Sequence, residues 1–426
     1  MNKIKNILLL PYCHQLGSTH TLISIGKHLK NLGYNVIVAG EGEYLNLAEQ
    51  NGLRSVSLLE IPIDTYRKKT DSADLVYQTE EETELFIESE IALYKKFSID
   101  LVISTLRFTA PISTKLANIK HISLTYAILS NYYALGITIP EAHFLYKFIY
   151  KFRGIPILYS LLNKSGNSIY FYFMKRFAKV YNSVARKHGL QEKKNLLSYY
   201  EGEVTWLYDI EEFAPVKKAP ASIKYLGTIF NRVVAEKPSW IEEVRKLKEK
   251  SGCRVIYVSM GSSGTLYTTV IADVIEYCKK HNYLIVTNSI KPKVLPAGDI
   301  EIDKYKGLYT VNYASVEDML SVADIVVSHG GRGTMYDSLE IGVPLVVIPH
   351  QAEQEWNTLR LEKMGVARKV SKAHYSKIEL FSALDSIFDD YSSTMENINL
   401  IKKYIKKYDW KREVEKTLQE FESERY

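Results

Sequence analysis

The sequence has few cysteines and no long apolar run. Cys13, Cys253 and Cys278 are odd in number and far apart, so they indicate neither a disulfide framework nor a zinc site. They fit a reducing cytosol. No stretch approaches the ~18 apolar residues of a membrane span. The apolar stretch ending at Pro11 lacks a small-residue cleavage site. This favours a buried strand over a signal peptide, and we therefore expect a cytoplasmic protein.

A strong excess of one charge is also missing. Lys and Arg number 55 against 49 Asp and Glu, for a net charge of +6. This bias suits anionic small molecules or an anionic membrane surface, and without a basic stripe it argues against nucleic acid. The 46% hydrophobic content excludes wholesale disorder. At roughly 100–200 residues per domain, 426 residues predict two domains or one unusually large one.

The hydrophobic pattern predicts two successive Rossmann-like α/β domains with parallel sheets that face each other across a cleft. Buried strands are expected at 4–10, 35–40, 100–104, 121–125, 255–259, 283–288, 307–312, 323–328 and 344–349. A helix at 18–32, capped by Ser18 or Thr19 and ended by Gly33, joins the first two strands. The predicted domains are 1–218 and 219–405, with a helix at 406–426 that packs back on the first.

Aromatic and basic residues interleave from about 126 to 190, for example in HFLYKFIYKFRGIPILYSLL. This composition interrupts the Rossmann pattern and predicts inserted helices within the first domain. Two further interpretations stay open. The insertion could line a site for a bulky apolar acceptor, or it could lie on a membrane surface with Lys and Arg around its apolar face.

The segment SHGGRGT follows the strand predicted at 323–328 and opens a helix. Glycines allow close backbone approach to a ligand, and the N–H groups of a first helical turn together with the helix dipole attract an anion. His329 and Thr334 add side-chain donors. These features predict a diphosphate site at this turn.

Residues 323–365 resemble the nucleotide-sugar signature of family 1 glycosyltransferases, which include plant, animal and bacterial macrolide and glycolipid enzymes. The HGGxGT core, the GVPxxxxP stretch at 342–349 and an acidic-Gln pair at 353–354 are all present. The resemblance implies a GT-B fold, a UDP- or dTDP-linked sugar as co-substrate bound by domain 219–405, and inverting transfer to an acceptor bound by domain 1–218. Diphosphate, nucleoside and sugar contacts would then fall on Ser262, Ser263, Tyr313, His329, Gly330, Gly331, Gly333, Thr334, Asp337, Glu353 and Gln354.

No cofactor or metal is expected. A helix N-terminus with His329 can stabilise the anionic leaving group without a metal, and the sequence has no DxD motif in a loop position. Asp389-Asp390 lies in a helical stretch.

The resemblance leaves the general base open. The family's His falls on Ser18 and its partner Asp falls on Thr105. A sugar or aliphatic hydroxyl is a poor nucleophile without a base. His20, two residues along, or His14 in the preceding loop could replace it. Alternatively, the acceptor is acidic and needs little activation, in which case Arg107 and Thr105 could bind it.

The sequence therefore predicts a glycosyltransferase, monomeric or homodimeric, that acts on a small lipophilic or acidic acceptor such as a polyketide, macrolide or phenol. Two alternatives remain. One is a glycolipid or lipid-carrier transferase in peripheral contact with a membrane. The other is a noncatalytic nucleotide-sugar-binding protein, because both family positions of the dyad are substituted.

Overall fold

A computed structural model describes residues 4–71, 74–141, 143–230, 239–260, 266–288, 301–303, 308–311 and 315–423. The chain forms two compact units, each built around a seven-stranded sheet. The first unit comprises Met1–Thr138, Ser160–Asn231 and Lys407–Tyr426, and the second comprises Ile139–Tyr159 and Arg232–Lys406. The predicted α/β class with two parallel sheets is confirmed.

The first sheet is parallel throughout. Its strands are β1 (Asn6–Leu10), β2 (Asn35–Gly40), β3 (Arg54–Ser57), β4 (Leu101–Ser104), β5 (Lys120–Thr125), β6 (Val204–Leu207) and β7 (Ile223–Tyr225). They lie in the order β3-β2-β1-β4-β5-β6-β7. Every residue of the central β4 is buried, as expected of a parallel strand that is covered by helices on both faces.

The second sheet is parallel except at one edge, where the strand Glu301–Asp303 pairs antiparallel with the strand Leu308–Val311. Its strands are β8 (Val255–Ser259), β9 (Leu284–Asn288), β10 (Glu301–Asp303), β11 (Leu308–Val311), β12 (Ile325–Ser328), β13 (Leu345–Val347) and β14 (Ala367–Lys369). Their order is β10-β11-β9-β8-β12-β13-β14. β8 and β12 are neighbours, with Ser259 in register with Ser328.

Helices connect the strands in both units. In chain order they are α1 (Leu16–Asn31), α2 (Leu47–Gln50), α3 (Ile63–Asp71), α4 (Glu80–Phe97), α5 (Ala110–Ala117), α6 (Tyr146–Tyr150), α7 (Pro156–Lys164), α8 (Gly166–Phe177), α9 (Lys179–Lys187), α10 (Ser239–Ser251), α11 (Tyr267–His281), α12 (Val316–Leu320), α13 (Arg332–Ile341), α14 (Ala352–Lys363), α15 (Lys377–Asp389), α16 (Tyr391–Ile405) and α17 (Trp410–Ser423). The longest, α4, begins with a capping box in which Thr79 and Glu82 exchange hydrogen bonds.

The helix α17 belongs to the first unit although it follows the second along the chain. Val414, Leu418 and Phe421 join the core cluster of β1, β2 and β6. The indole N–H of Trp206 on β6 donates to Thr417 Oγ1 at 3.2 Å. This contact ties α17 to the sheet by a buried polar bond as well as by apolar packing.

The strand order places a topological switch point in each sheet. In the first unit the chain moves from β1 through β2 to β3 on one side, and β4 lies on the other side of β1. In the second unit the switch point lies between β8 and β12. Open α/β sheets bind ligands at the carboxyl ends of the strands at such points, so each unit offers one expected ligand position.

Three boundaries differ from those expected from the sequence. The first unit extends past the predicted limit at 218, because β7 pairs with β6 and completes the first sheet. The segment 139–159 of the expected insertion belongs to the second unit. α1 begins at Leu16 with Gln15 as its N-cap, so Ser18 and Thr19 lie inside the helix and do not cap it.

Candidate active site

The loop between β12 and α13 lies at the switch point of the second sheet. Gly330 has a left-handed backbone with φ of +78°, and a Cβ atom there would lie 2.7 Å from Cγ1 of Val347. The Gly330 N–H donates to Ser328 Oγ at 3.2 Å. Only glycine meets both the conformation and the close contact with β13, which fixes the direction in which α13 starts.

His329 lies over the first turn of α13. Gly331 is the N-cap residue of that helix, and a Cβ atom on it would lie 2.6 Å from Nε2 of His329. The Nδ1 atom on the other side of the ring is 3.5 Å from the Ser259 carbonyl oxygen at the end of β8. Burial lowers the pKa of His329, so the imidazole is neutral at neutral pH and its Nε2 side faces the helix N-terminus.

The first turn of α13 leaves space for a ligand at Gly333 and carries a buried cation at Arg332. A Cβ atom on Gly333 would meet nothing within 4 Å, and Thr334 beside it is half-buried. The buried Arg332 guanidinium lies over the ring of Tyr336, 5.2 Å from its centroid, and 4.0 Å from Glu353 Oε1. The first-turn N–H groups of a helix lack intrahelical acceptors, so this end suits an anion.

Asp337 lies in the second turn of α13. Burial raises its pKa to about 7, and the nearby carboxylates of Glu340 and Glu317 add to the rise. A carboxyl group in this state can either accept or donate a hydrogen bond near neutral pH. It is therefore able to bind a hydroxyl group, which is the role that the resemblance implies for it.

The acidic-Gln pair lies in the first turn of α14. Glu353 accepts a hydrogen bond from the Asn357 amide, which fixes its carboxylate. The Gln354 Oε1 atom accepts from the backbone N–H groups of His350 at 2.8 Å and Gln351 at 3.2 Å. The side-chain oxygen of Gln354 therefore caps the helix, and only its amide NH2 could serve a sugar.

His350 is a candidate that the sequence analysis missed. Both of its ring nitrogens are buried, and neither has a hydrogen-bond partner within the described part of the chain. Burial, Lys372 and His329 lower its pKa to about 4, so the ring is neutral. The sequence feature that could have identified it is its position directly after Pro349, past the end of β13. Residues at this position lie near the site because the carboxyl ends of neighbouring parallel strands meet at one edge of a sheet.

Three expected contacts, Ser262, Ser263 and Tyr313, lie outside the described residues. The described site thus brings together His329, Gly330, Gly331, Gly333, Thr334 and Asp337 on one loop and helix, with Glu353 and Gln354 on the next. Within the described ranges, no three His, Cys, Asp or Glu side chains are grouped to hold a metal ion.

The positions that replace the family's dyad lie at the switch point of the first sheet. Ser18 is buried, and its hydroxyl accepts a hydrogen bond from the Tyr12 N–H at 3.1 Å. Thr105 is also buried, and its N–H donates to the Leu10 carbonyl at 3.1 Å. Ser18 therefore holds the loop after β1 to the start of α1, and an alcohol in its place cannot act as an imidazole base does.

The two candidate bases lie on either side of Ser18 along the chain. His20 is half-buried on α1, and burial lowers its pKa. His14 lies in the loop between β1 and α1, where its ring meets the Tyr12 ring edge-on at a centroid distance of 5.4 Å. A neutral imidazole is the form that accepts a proton, and the lowered pKa keeps His20 in that form.

Arg107 does not offer a site for an anionic acceptor. Its Nε donates to Glu90 Oε1 at 2.6 Å, its Nη1 lies 3.2 Å from Glu60 Oε2, and its Nη2 donates to the Leu59 carbonyl at 2.8 Å. All three charged side chains are buried. The expectation that Arg107 binds an acidic acceptor is wrong, because two carboxylates already neutralise this guanidinium.

Comparison with known proteins agrees with the geometry of the second unit. Residues 255–408 match the family model described as glycosyltransferase family 28 C-terminal domain. A PGL/p-HBAD biosynthesis rhamnosyltransferase from Mycobacterium bovis is 22% identical over 283 residues, which cover 66% of this chain and 58% of that protein. The match therefore spans less than two thirds of this relative's length.

Solved structures share the fold over nearly the whole chain. The spinosyn forosaminyltransferase SpnP has a TM-score of 0.68 at 12% identity, covering 99% of this chain and 100% of that one. The glycosyltransferase VinC in complex with dTDP has a TM-score of 0.67 at 14% identity, covering 97% of this chain and 100% of that one. The predicted GT-B glycosyltransferase fold is confirmed.

Proposed function

We propose that this GT-B glycosyltransferase moves a sugar, with inversion and without a metal, from a UDP- or dTDP-linked donor to a small lipophilic acceptor. The observation that carries the proposal is the position of His329, with Nε2 over the N-terminus of α13 at the switch point of the second sheet. A helix N-terminus with an added side-chain donor is suited to a diphosphate. The related structure of VinC contains dTDP.

The diphosphate is both the anchor of the donor and the leaving group. The acceptor oxygen attacks the anomeric carbon, the bond from that carbon to the diphosphate oxygen breaks, and the electron pair stays on the diphosphate. The N–H groups of Gly333 and Thr334 stabilise this growing charge, together with the ring of His329 once it has taken up a proton on donor binding. Because these donors are fixed by Gly330 and Gly331 before the reaction, little reorganisation is needed.

The remaining donor contacts follow from the same loop and the next helix. Asp337 binds a ribose hydroxyl, and Glu353 with the amide NH2 of Gln354 binds hydroxyl groups of the sugar. His350 supplies a further polar contact, because its two ring nitrogens are buried without a partner among the described residues and His329 is close enough to help lower its pKa. An unpaired buried polar group lowers the stability of the folded state by about 1–3 kcal/mol. A bound nucleotide sugar would offset this cost by pairing with the ring of His350.

The acceptor side is assigned to the first unit. His20 accepts the proton of the acceptor hydroxyl, with His14 as the alternative base. Beside His14, the rings of Tyr12, Tyr66 and Tyr77 follow one another at centroid distances of 4.8 and 5.2 Å. Tyr12 and Tyr77 are buried in the core of the first unit, so these rings give the neighbourhood of His14 an apolar character. The neutralised Arg107 removes the main support for an acidic acceptor.

A thermal-shift panel with UDP, dTDP and their sugars tests the donor assignment, because a ligand that binds the native state raises its melting temperature. We expect UDP or dTDP to raise it in the wild type and His329→Ala to abolish the rise. No rise with any nucleotide would contradict the proposal. A rise without hydrolysis or transfer of any nucleotide sugar would instead favour a noncatalytic sugar-binding protein.

A further inference from the structure

Helix α7 is apolar on its surface. None of its nine residues is buried, and Ile157 and Leu161, one helical turn apart, are 77% and 60% exposed. Monomeric proteins in water rarely expose contiguous apolar patches of this kind without a binding role.

The exposed apolar residues continue on the N-terminal side of α7. Phe144 and Phe148 are 72% and 55% exposed, and Ile155 between α6 and α7 is also exposed. In the same helix as Phe148, Tyr146 and Ile149 are buried, so α6 is anchored on one side while Phe148 stays outside. We call Phe144, Phe148, Ile155 and Ile157, which all belong to the second unit, the apolar face.

The charges along the chain segment that carries the apolar face have one sign. The sequence has no Asp or Glu between Glu141 and Glu192. The exposed charged residues that alternate with the apolar face along the chain are Lys147, Lys151 and Arg153. Exposed aliphatic and aromatic side chains among basic residues are typical of segments that lie at a bilayer surface, where the apolar groups enter the acyl boundary and the cations meet lipid phosphates.

We propose that the apolar face binds the surface of an anionic lipid bilayer and attaches the protein peripherally to it. The alternative of a symmetric dimer through this face is disfavoured by charge, because a two-fold interface would bring the same basic residues of both copies together. No helix within the described ranges is long and apolar enough to cross a bilayer, so the proposed contact is a surface contact. It does not depend on the donor chemistry proposed above.

The decisive experiment is co-sedimentation of the full chain with phosphatidylcholine vesicles, with and without phosphatidylglycerol, at low and high salt. Binding should require phosphatidylglycerol and weaken with salt. Each Lys or Arg near an anionic surface contributes roughly 1 kcal/mol, so the double change Lys147→Glu and Lys151→Glu should weaken binding about tenfold or more. The matched charge control is Lys279→Glu with Lys280→Glu, two exposed residues on α11.

The apolar contribution has its own pair of variants. Ile157→Glu should reduce vesicle binding, whereas Ile378→Glu, at an 80% exposed position on α15, should not. Circular dichroism and the nucleotide thermal shift should be unchanged in all four variants. Absence of binding to anionic vesicles, binding that is equal in Ile157→Glu and Ile378→Glu, or a dimer in solution that Ile157→Glu dissociates would each overturn the proposal.

Discussion

A Cβ atom added to Gly331 would lie 2.6 Å from Nε2 of His329, a distance that real Cβ contacts do not reach. The glycine therefore keeps the imidazole over the start of α13. We expect Gly331→Ala to displace the ring and weaken UDP or dTDP binding about tenfold, which corresponds to the ~1.4 kcal/mol of one hydrogen bond. Isothermal titration calorimetry measures the change.

Gly136→Ala is the matched control, since an added Cβ there meets nothing within 4 Å. Equal nucleotide affinities in the two alanine variants would show that the position of the ring over Gly331 is unimportant for binding.

His350 should affect donor binding more than stability. Its ring nitrogens have no partner among the described residues, so His350→Ala breaks no ring hydrogen bond with this part of the chain. We expect KM for the donor to rise about tenfold, because a contact worth ~1.4 kcal/mol is lost only in the complex. Urea denaturation should show little loss of the free energy of unfolding.

His121 should affect stability more than donor binding, and it serves as the comparison for His350. It is buried, and its Nε2 lies 2.8 Å from Ser104 Oγ. His121→Ala should lower the free energy of unfolding by about 1–3 kcal/mol because Ser104 is left unpaired, with donor KM unchanged. A reversed pattern in the two variants would contradict the role assigned to His350.

Nucleotide binding should involve proton uptake by His329. Burial lowers the pKa of this residue in the free protein, and a bound diphosphate would raise it, since an adjacent anion favours the imidazolium. Affinity for dTDP should therefore increase, relative to that of His329→Asn, as pH falls through the bound-state pKa, and level off below the free-state pKa. Calorimetry in buffers of different ionisation enthalpy should detect the proton, and parallel pH profiles in the two proteins would refute the coupling.

The sequence predicted the strand, loop and helix around His329 because their constraints are local. Gly330 needs a left-handed backbone, and the strand, loop and helix around it follow one another along the chain. Arg107 could not be assigned in the same way, because its partners Glu60 and Glu90 come from distant segments. His350 was missed for a related reason: only the pairing of β12 with β13 brings it near His329.

His20 should control the rate rather than donor affinity. If it accepts the acceptor's proton, His20→Ala should lower kcat by about 10²–10⁴-fold at unchanged donor KM. Because burial lowers its pKa, the wild-type rate should fall only on the acid side of the ordinary imidazole range. Steady-state kinetics of His20→Ala and His14→Ala compare the two candidates, and full turnover in both would leave neither as the base.

Arg107 should be required for stability. Arg107→Met would leave Glu60 and Glu90 buried without a counter-ion, which typically costs about 3–5 kcal/mol. Arg186→Met removes the exposed pair with Glu192 and should cost less than about 1 kcal/mol. Urea denaturation compares them, and a raised acceptor KM in Arg107→Met at wild-type stability would restore the idea of an anion site.

The packing of α17 against β6 has a consequence for biosynthesis. The first unit emerges from the ribosome without Val414, Leu418 and Phe421, because these residues are translated after the whole second unit. During that interval Trp206 lacks the helix that covers it. Nascent chains stalled before residue 410 should therefore recruit chaperones and be digested readily by proteases within the first unit, even though all seven strands of its sheet are already synthesised.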